Sequence, residues 1–159
     1  MRRDLPTPAH RGRLRGDRGQ VGGIEVLPFG FFIFISLTLF LVNVWGVVDA
    51  KLAVTSASRE AARAFVEAPD AAQGFAQAQI RADEALAAYG RDGERASVGT
   101  PELPDGFTRC GRVTIEVTYD IPALSIPWIG GFGEVTTVRS TYTELIDPFR
   151  DGIPGAATC

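Results

Sequence analysis

The chain has 159 residues, a net charge of −3, 45% apolar residues, two cysteines and a single histidine, His10. With one long apolar run and a charged tail set aside, there is material for one small domain with a modest core, which excludes a large multidomain machine. Six arginines (2, 3, 11, 13, 15 and 18) face only Asp4 and Asp17 in residues 1–23, a net +4, so the remainder carries −7.

Residues 1–23 have no apolar period, contain Pro6, Pro8 and scattered Gly, and are expected to form a disordered basic tail. Arginine-rich tails also bind nucleic acid, but this one lacks interleaved aromatics and stands beside an apolar run. Topology therefore explains it better: the basic flank stays in the cytoplasm and the acidic remainder is exported. The Arg15-Gly16-Asp17 tripeptide falls on the cytoplasmic side and is read as accidental.

Residues 24–48 are expected to be a transmembrane helix. From Val26 to Val48 there is no charged residue. At 1.5 Å per residue such a helix spans about 35 Å, against a hydrocarbon core of about 30 Å. Ser36, Thr38 and Asn43 are its polar groups, and the hydroxyls can bond back to a carbonyl one turn earlier. Glu25 stands at the mouth of the helix, where a carboxylate suits the dipole or meets a partner. Pro28 is expected in the first turn, where its missing N–H costs nothing.

Asp49 and Lys51 mark the exit from the membrane, but no Gly or Pro interrupts residues 49–68. The same helix should continue outward. Ala53, Ala57 and Ala61 form one line of small residues, and Ser58 and Ala62 another; such lines let a second helix approach closely. Glu60, Arg63 and Glu67 are spaced for ion pairs along the exposed side. Pro69 should break the helix. A second helix is expected from Ala71 to Tyr89, with Phe75, Ile80, Leu86 and Tyr89 as anchors and Gly90 as its stop.

After Gly93 the pattern becomes extended. Arg95 to Gly99 suggests a short edge strand. Arg112 to Asp120 alternates, with Val113, Ile115, Val117 and Tyr119 on one face and Thr114, Glu116, Thr118 and Asp120 on the other, as in a strand covered on one side. Residues 121–133, rich in Pro and Gly, are expected to be a loop. Their exposed apolar residues would contact the domain, a membrane surface or a partner. Glu134 to Ile146 should be a second long strand. The fold class expected for 49–159 is thus α+β: a helix continuing from the membrane, a second helix, and a small antiparallel sheet, all extracytoplasmic. Cys110 and Cys159 would form a disulfide there.

Three features in this order resemble the TadE-like family, pilin-like proteins of tight-adherence pilus systems. They are Arg18-Gly19-Gln20, then Ile24-Glu25-Val26-Leu27-Pro28, then Ala57-Ser58-Arg59-Glu60-Ala61-Ala62-Arg63. The likeness is best over 18–66. It implies a structural role in pilus assembly or in the filament, with other pilin-like or assembly proteins and membrane lipid as partners. It also implies possible cleavage after Gly19, Gly22 or Gly23, with Glu25 as counter-charge to a neighbour's new amino terminus. The family's usual spacing puts the Glu fifth in the mature chain; a cut after Gly19 makes Glu25 sixth, which leaves an uncleaved anchored form open.

The rival expectation is a signal-anchored or secreted extracytoplasmic binding domain unrelated to pili; Val48-Asp49-Ala50 fits a small-x-small cleavage site. Nothing in the sequence suggests an enzyme. It shows no G-x-S-x-G, no phosphate loop and no clustered metal ligands, so no cofactor, small-molecule substrate or nucleic acid is expected.

Overall fold

The computed structural model describes residues 22–126 and 128–159; the tail 1–21, with Gly19 and the Arg15–Asp17 tripeptide, lies outside them. In chain order it forms α1 (Gly22–Glu67), α2 (Ala71–Ala88), a 3₁₀ turn (Gly93–Arg95), β1 (Ala96–Val98), β2 (Arg112–Ile126) and β3 (Gly130–Leu145). The strands make one antiparallel sheet in the order β1-β2-β3. The class is α+β, as expected. Two compact units divide the chain between Thr38 and Leu39.

α1 is a single helix of 46 residues. Thr38 Oγ1 donates to the Phe34 carbonyl at 2.8 Å, and Asn43 Nδ2 to the Leu39 carbonyl at 2.7 Å, so both polar side chains satisfy themselves along the helix. Pro28 lies seventh in α1, not in its first turn; the helix starts upstream, and the Ile24 carbonyl goes without the N–H that an ordinary residue would supply. α1 ends at Glu67, ahead of Pro69. Its last carbonyls need donors, and no basic residue stands in its last turn. Arg150 supplies them from the far end of the chain, donating to the carbonyls of Val66, Glu67 and Ala68.

α2 is closed at both ends by its own sequence. Asp70 Oδ1 accepts the Gln73 N–H at 2.8 Å while Gln73 Nε2 donates to Asp70 Oδ2 at 2.9 Å, which holds the first turn from both sides. At the other end Gly90 takes φ +68; its N–H reaches the Ala87 carbonyl, and that of Arg91 the Leu86 carbonyl. The buried face of α2 is Gly74, Ala78, Ala82 and Leu86. Of the four expected anchors only Leu86 is fully buried; Ile80 and Tyr89 are exposed. α2 presents its small residues inward because α1 approaches too closely for large ones. A Cβ on Gly74 would stand 3.0 Å from both the ring and the carbonyl oxygen of Phe65.

The core joins both helices to one face of the sheet. Val113, Ile115, Val117 and Tyr119 are buried with Ala50, Ala53, Val54, Ala57, Ala61, Ala62 and Phe65 of α1. The opposite face of β2 meets β3 in polar cross-strand pairs. Thr137 donates to Asp120 at 2.7 Å, and Thr114 and Thr143 share a hydrogen bond of 2.8 Å. The expected loop over 121–133 is instead mostly ladder. Pairing runs from Arg112↔Leu145 out to Ile126↔Gly130, with a register shift between Pro122 and Leu124. Backbone bonds, not side chains, hold this extension, and the irregularity sits where Pro122 is tolerated. On the surface of α1, Arg63 makes no ion pair with Glu60 or Glu67; the helix-surface pair present is Arg81–Glu84 at 2.7 Å.

Candidate functional site

The most distinctive surface is the apolar part of α1. Val26–Glu67 contains a stretch long and apolar enough to cross a membrane, and none of that stretch is buried. Phe29, Phe31, Phe32, Phe34, Phe40, Leu41 and Trp45 are all exposed. Gly22, Gly23 and Glu25 lie at the amino-terminal end of the described part of α1.

Where the charge-free stretch ends, two side chains are tied into the folded unit 39–159. Asp49 pairs with Arg91 at 2.6 Å; the same guanidinium donates to the Gly46 carbonyl and stacks 5.3 Å above the Tyr119 ring. Arg91 is 15% exposed and Asp49 41%. Lys51 Nζ donates to the Arg139 carbonyl on β3. The sequence marks Asp49 and Lys51 as exit charges; nothing in it singles out Arg91, which follows the α2 stop.

Ala53, Ala57 and Ala61 are wholly buried inside the chain's own core, and Ser58 beside them donates to the Thr55 carbonyl and shares a hydrogen bond with the Ser140 hydroxyl. They share this core with Ala78, Ala82 and Leu86 of α2 and with the buried face of β2. Phe65 lies against Gly74 and Asp49 pairs with Arg91, so α1 and α2 run antiparallel.

Cys110 and Cys159 are joined, with Cα atoms 5.4 Å apart. The tail 147–159 is held there by backbone bonds as well, Arg109 N–H to the Pro154 carbonyl and Cys110 N–H to that of Ile146. Gly155 takes φ +113, and a Cβ on it would stand 2.9 Å from the Arg109 nitrogen and 3.0 Å from its carbonyl oxygen, where a side chain would collide.

The tip of the β2–β3 hairpin is the other exposed apolar feature. Trp128 is 104% exposed and Ile129 70%, and Phe132 follows. The Ile129 N–H closes the turn on the Ile126 carbonyl at 3.1 Å, with Trp128 at φ 66.

Among the described residues no three His, Cys, Asp or Glu side chains gather as a metal site. An open groove of about 280 Å³ lies beside the start of α2, lined by Phe65, Ala71, Ala72, Phe75, Thr100, Pro101 and Leu103. It contains no acid, base or nucleophile beyond the Thr100 hydroxyl. No protein-family model matches the chain, nor does any curated protein or solved structure.

Proposed function

We propose that the chain is a membrane-anchored, TadE-like, pilin-like protein that acts structurally, in pilus assembly or as a minor filament component. Residues 24–48 cross the membrane, the basic tail 1–23 stays in the cytoplasm, and 49–159 lies outside. The observation that carries this reading is the division of labour along α1. From Val26 to Thr38 it exposes Phe, Leu, Ile and Val on every side, whereas its carboxyl-terminal part is the spine of a small folded unit. An apolar surface of that extent is not left to water; lipid or neighbouring helices cover it. Because Ala53, Ala57 and Ala61 are occupied within the chain, contact with other pilin-like helices falls to the stretch before Asp49. Glu25 at its mouth is the group suited to a partner's positive charge, since an unpaired carboxylate there is costly.

Two measurements test the proposal. Fractionation with mass and amino-terminal sequencing of the mature chain should find it in the membrane, either full length or starting between residues 20 and 24. A soluble product starting at Lys51 overturns the anchor in favour of a secreted domain. Glu25→Ala should abolish or strongly reduce pilus assembly while leaving the amount of membrane-bound chain unchanged; normal assembly would remove the counter-charge role.

A further inference from the structure

We propose that the tip of the β2–β3 hairpin is a second membrane contact, with Trp128, Ile129 and Phe132 lodged in the lipid. The inference rests on the anchoring of α1 in a bilayer and adds a site to it.

Direction is the first argument. β3 and α1 run the same way within the unit 39–159. Arg139 meets Lys51, the Arg59 guanidinium sits 5.6 Å above the Tyr142 ring, and Arg150, beyond β3, caps Val66–Ala68. Followed backward from Arg139, β3 therefore heads toward lower numbers on α1, past Asp49 and toward the charge-free Leu39–Val48. At about 3.3 Å per residue the strand from Arg139 to Gly130 covers about 30 Å. The helix from Ala50 back to Leu39 covers about 17 Å. One side of that helix stretch, at Leu39, Asn43 and Gly46, is half-buried, while Phe40, Leu41, Val44 and Trp45 are exposed.

Chemistry is the second. Between Asp120 and Glu134 the chain reads IPALSIPWIGGFG, without a charge. The tip is thus as free of charge as the helix it points along; its flanking charges, Asp120 and Glu134, lie two and five residues tipward of the Thr118↔Arg139 pair. A tip facing water would not combine that length with a fully exposed Trp and a largely exposed Ile. Trp is the residue that membrane interfaces favour, its ring apolar and its N–H free to meet headgroups.

Backbone conformation is the third. Trp128 holds φ 66, a conformation that suits glycine, although glycines occupy the next two places but one in the sequence, 130 and 131. A bulky aromatic is held in a strained turn where it touches nothing in the chain, which fits a side chain presented to something outside it.

The chain holds two tryptophans, Trp45 and Trp128, and this permits a direct test. The full chain carrying Trp45→Phe, or Trp45→Leu should the first fold poorly, is reconstituted in phosphatidylcholine vesicles. So is the chain carrying Trp128→Phe. Each is compared in ordinary lipid and in lipid brominated on its acyl chains near the headgroup. Trp128 as sole fluorophore should emit blue-shifted and lose about half or more of its intensity in the brominated lipid, as an interfacial indole does. Water-like emission that bromine does not quench overturns the proposal, whether the tip then meets water or a second protein. Trp45 separates the two readings. If Trp45 is quenched and Trp128 is not, the anchor stands and the tip contact falls; if neither is quenched, both fall.

Discussion

Arg150 shows how much one side chain can hold. It donates to three carbonyls at the end of α1 and lies 5.6 Å from the Phe107 ring, which itself packs edge-on against Phe65. Bonds from a charged donor contribute about 1.5–3 kcal/mol each when buried, less where water competes, so Arg150→Ala should cost about 2–3 kcal/mol in a urea or thermal unfolding measurement. Arg150→Lys should recover only part, because an ammonium cannot fork across successive carbonyls. Trp128 makes the opposite prediction. A left-handed conformation costs a non-glycine residue about 1–2 kcal/mol, so Trp128→Gly should stabilise the isolated fold by about 1 kcal/mol while weakening its membrane contact. Arg91 and Arg150 were not legible beforehand. Each hydrogen-bonds to groups more than 40 positions away, and no spacing rule connects a tail arginine to the end of the first helix.

At the level of elements, the sequence spoke clearly wherever a local pattern dictated the outcome. The alternation of Val113, Ile115, Val117 and Tyr119 defined the buried face of β2, and Asp70 and Gly90 marked the ends of α2. It spoke less clearly where backbone bonding decides. Residues 121–133 carry turn-forming Pro and Gly, yet continue the ladder because the partner strand is already in register. The inward face of α2, Gly74, Ala78, Ala82 and Leu86, differs from the expected anchors Phe75, Ile80, Leu86 and Tyr89 for a related reason: Phe65 of α1 comes too close at Gly74 for a larger residue. That approach can be tested. Gly74→Ala places a methyl 3.0 Å from the Phe65 ring and its carbonyl oxygen, and should destabilise by about 1–2 kcal/mol despite the better helix propensity of Ala. Ala57→Leu, at a wholly buried site, should cost about 1–3 kcal/mol by overpacking. Equal or greater stability of either variant, in the same unfolding measurement, would mean that the helices are not tightly apposed.

Across the whole molecule the Cys110–Cys159 bond closes a loop with a sequence separation of 49. Loop-closure entropy gives about 4 kcal/mol for a loop of that size, of which about 2–4 kcal/mol is commonly realised. Cys110→Ser, or the wild type under reductant, should lose that amount by thermal unfolding. If the loss is negligible, the backbone bonds of Arg109 and Cys110 to the tail suffice alone. The α+β architecture and the apolar helix were legible from 159 residues; the identity of any partner was not, because a partner's surface leaves no trace in this chain's own periodicities.

The clasp of Arg150 on Val66–Ala68 has a temporal side. The first long helix is finished by a residue made more than eighty positions later, and the sheet that covers it comes later than α2. A nascent chain emerging in order would therefore hold two alanine-lined helices without their cover until the final strand and tail arrive. Under the proposed export of residues 49–159, late closure would keep the emerging segment pliable until its passage is nearly complete.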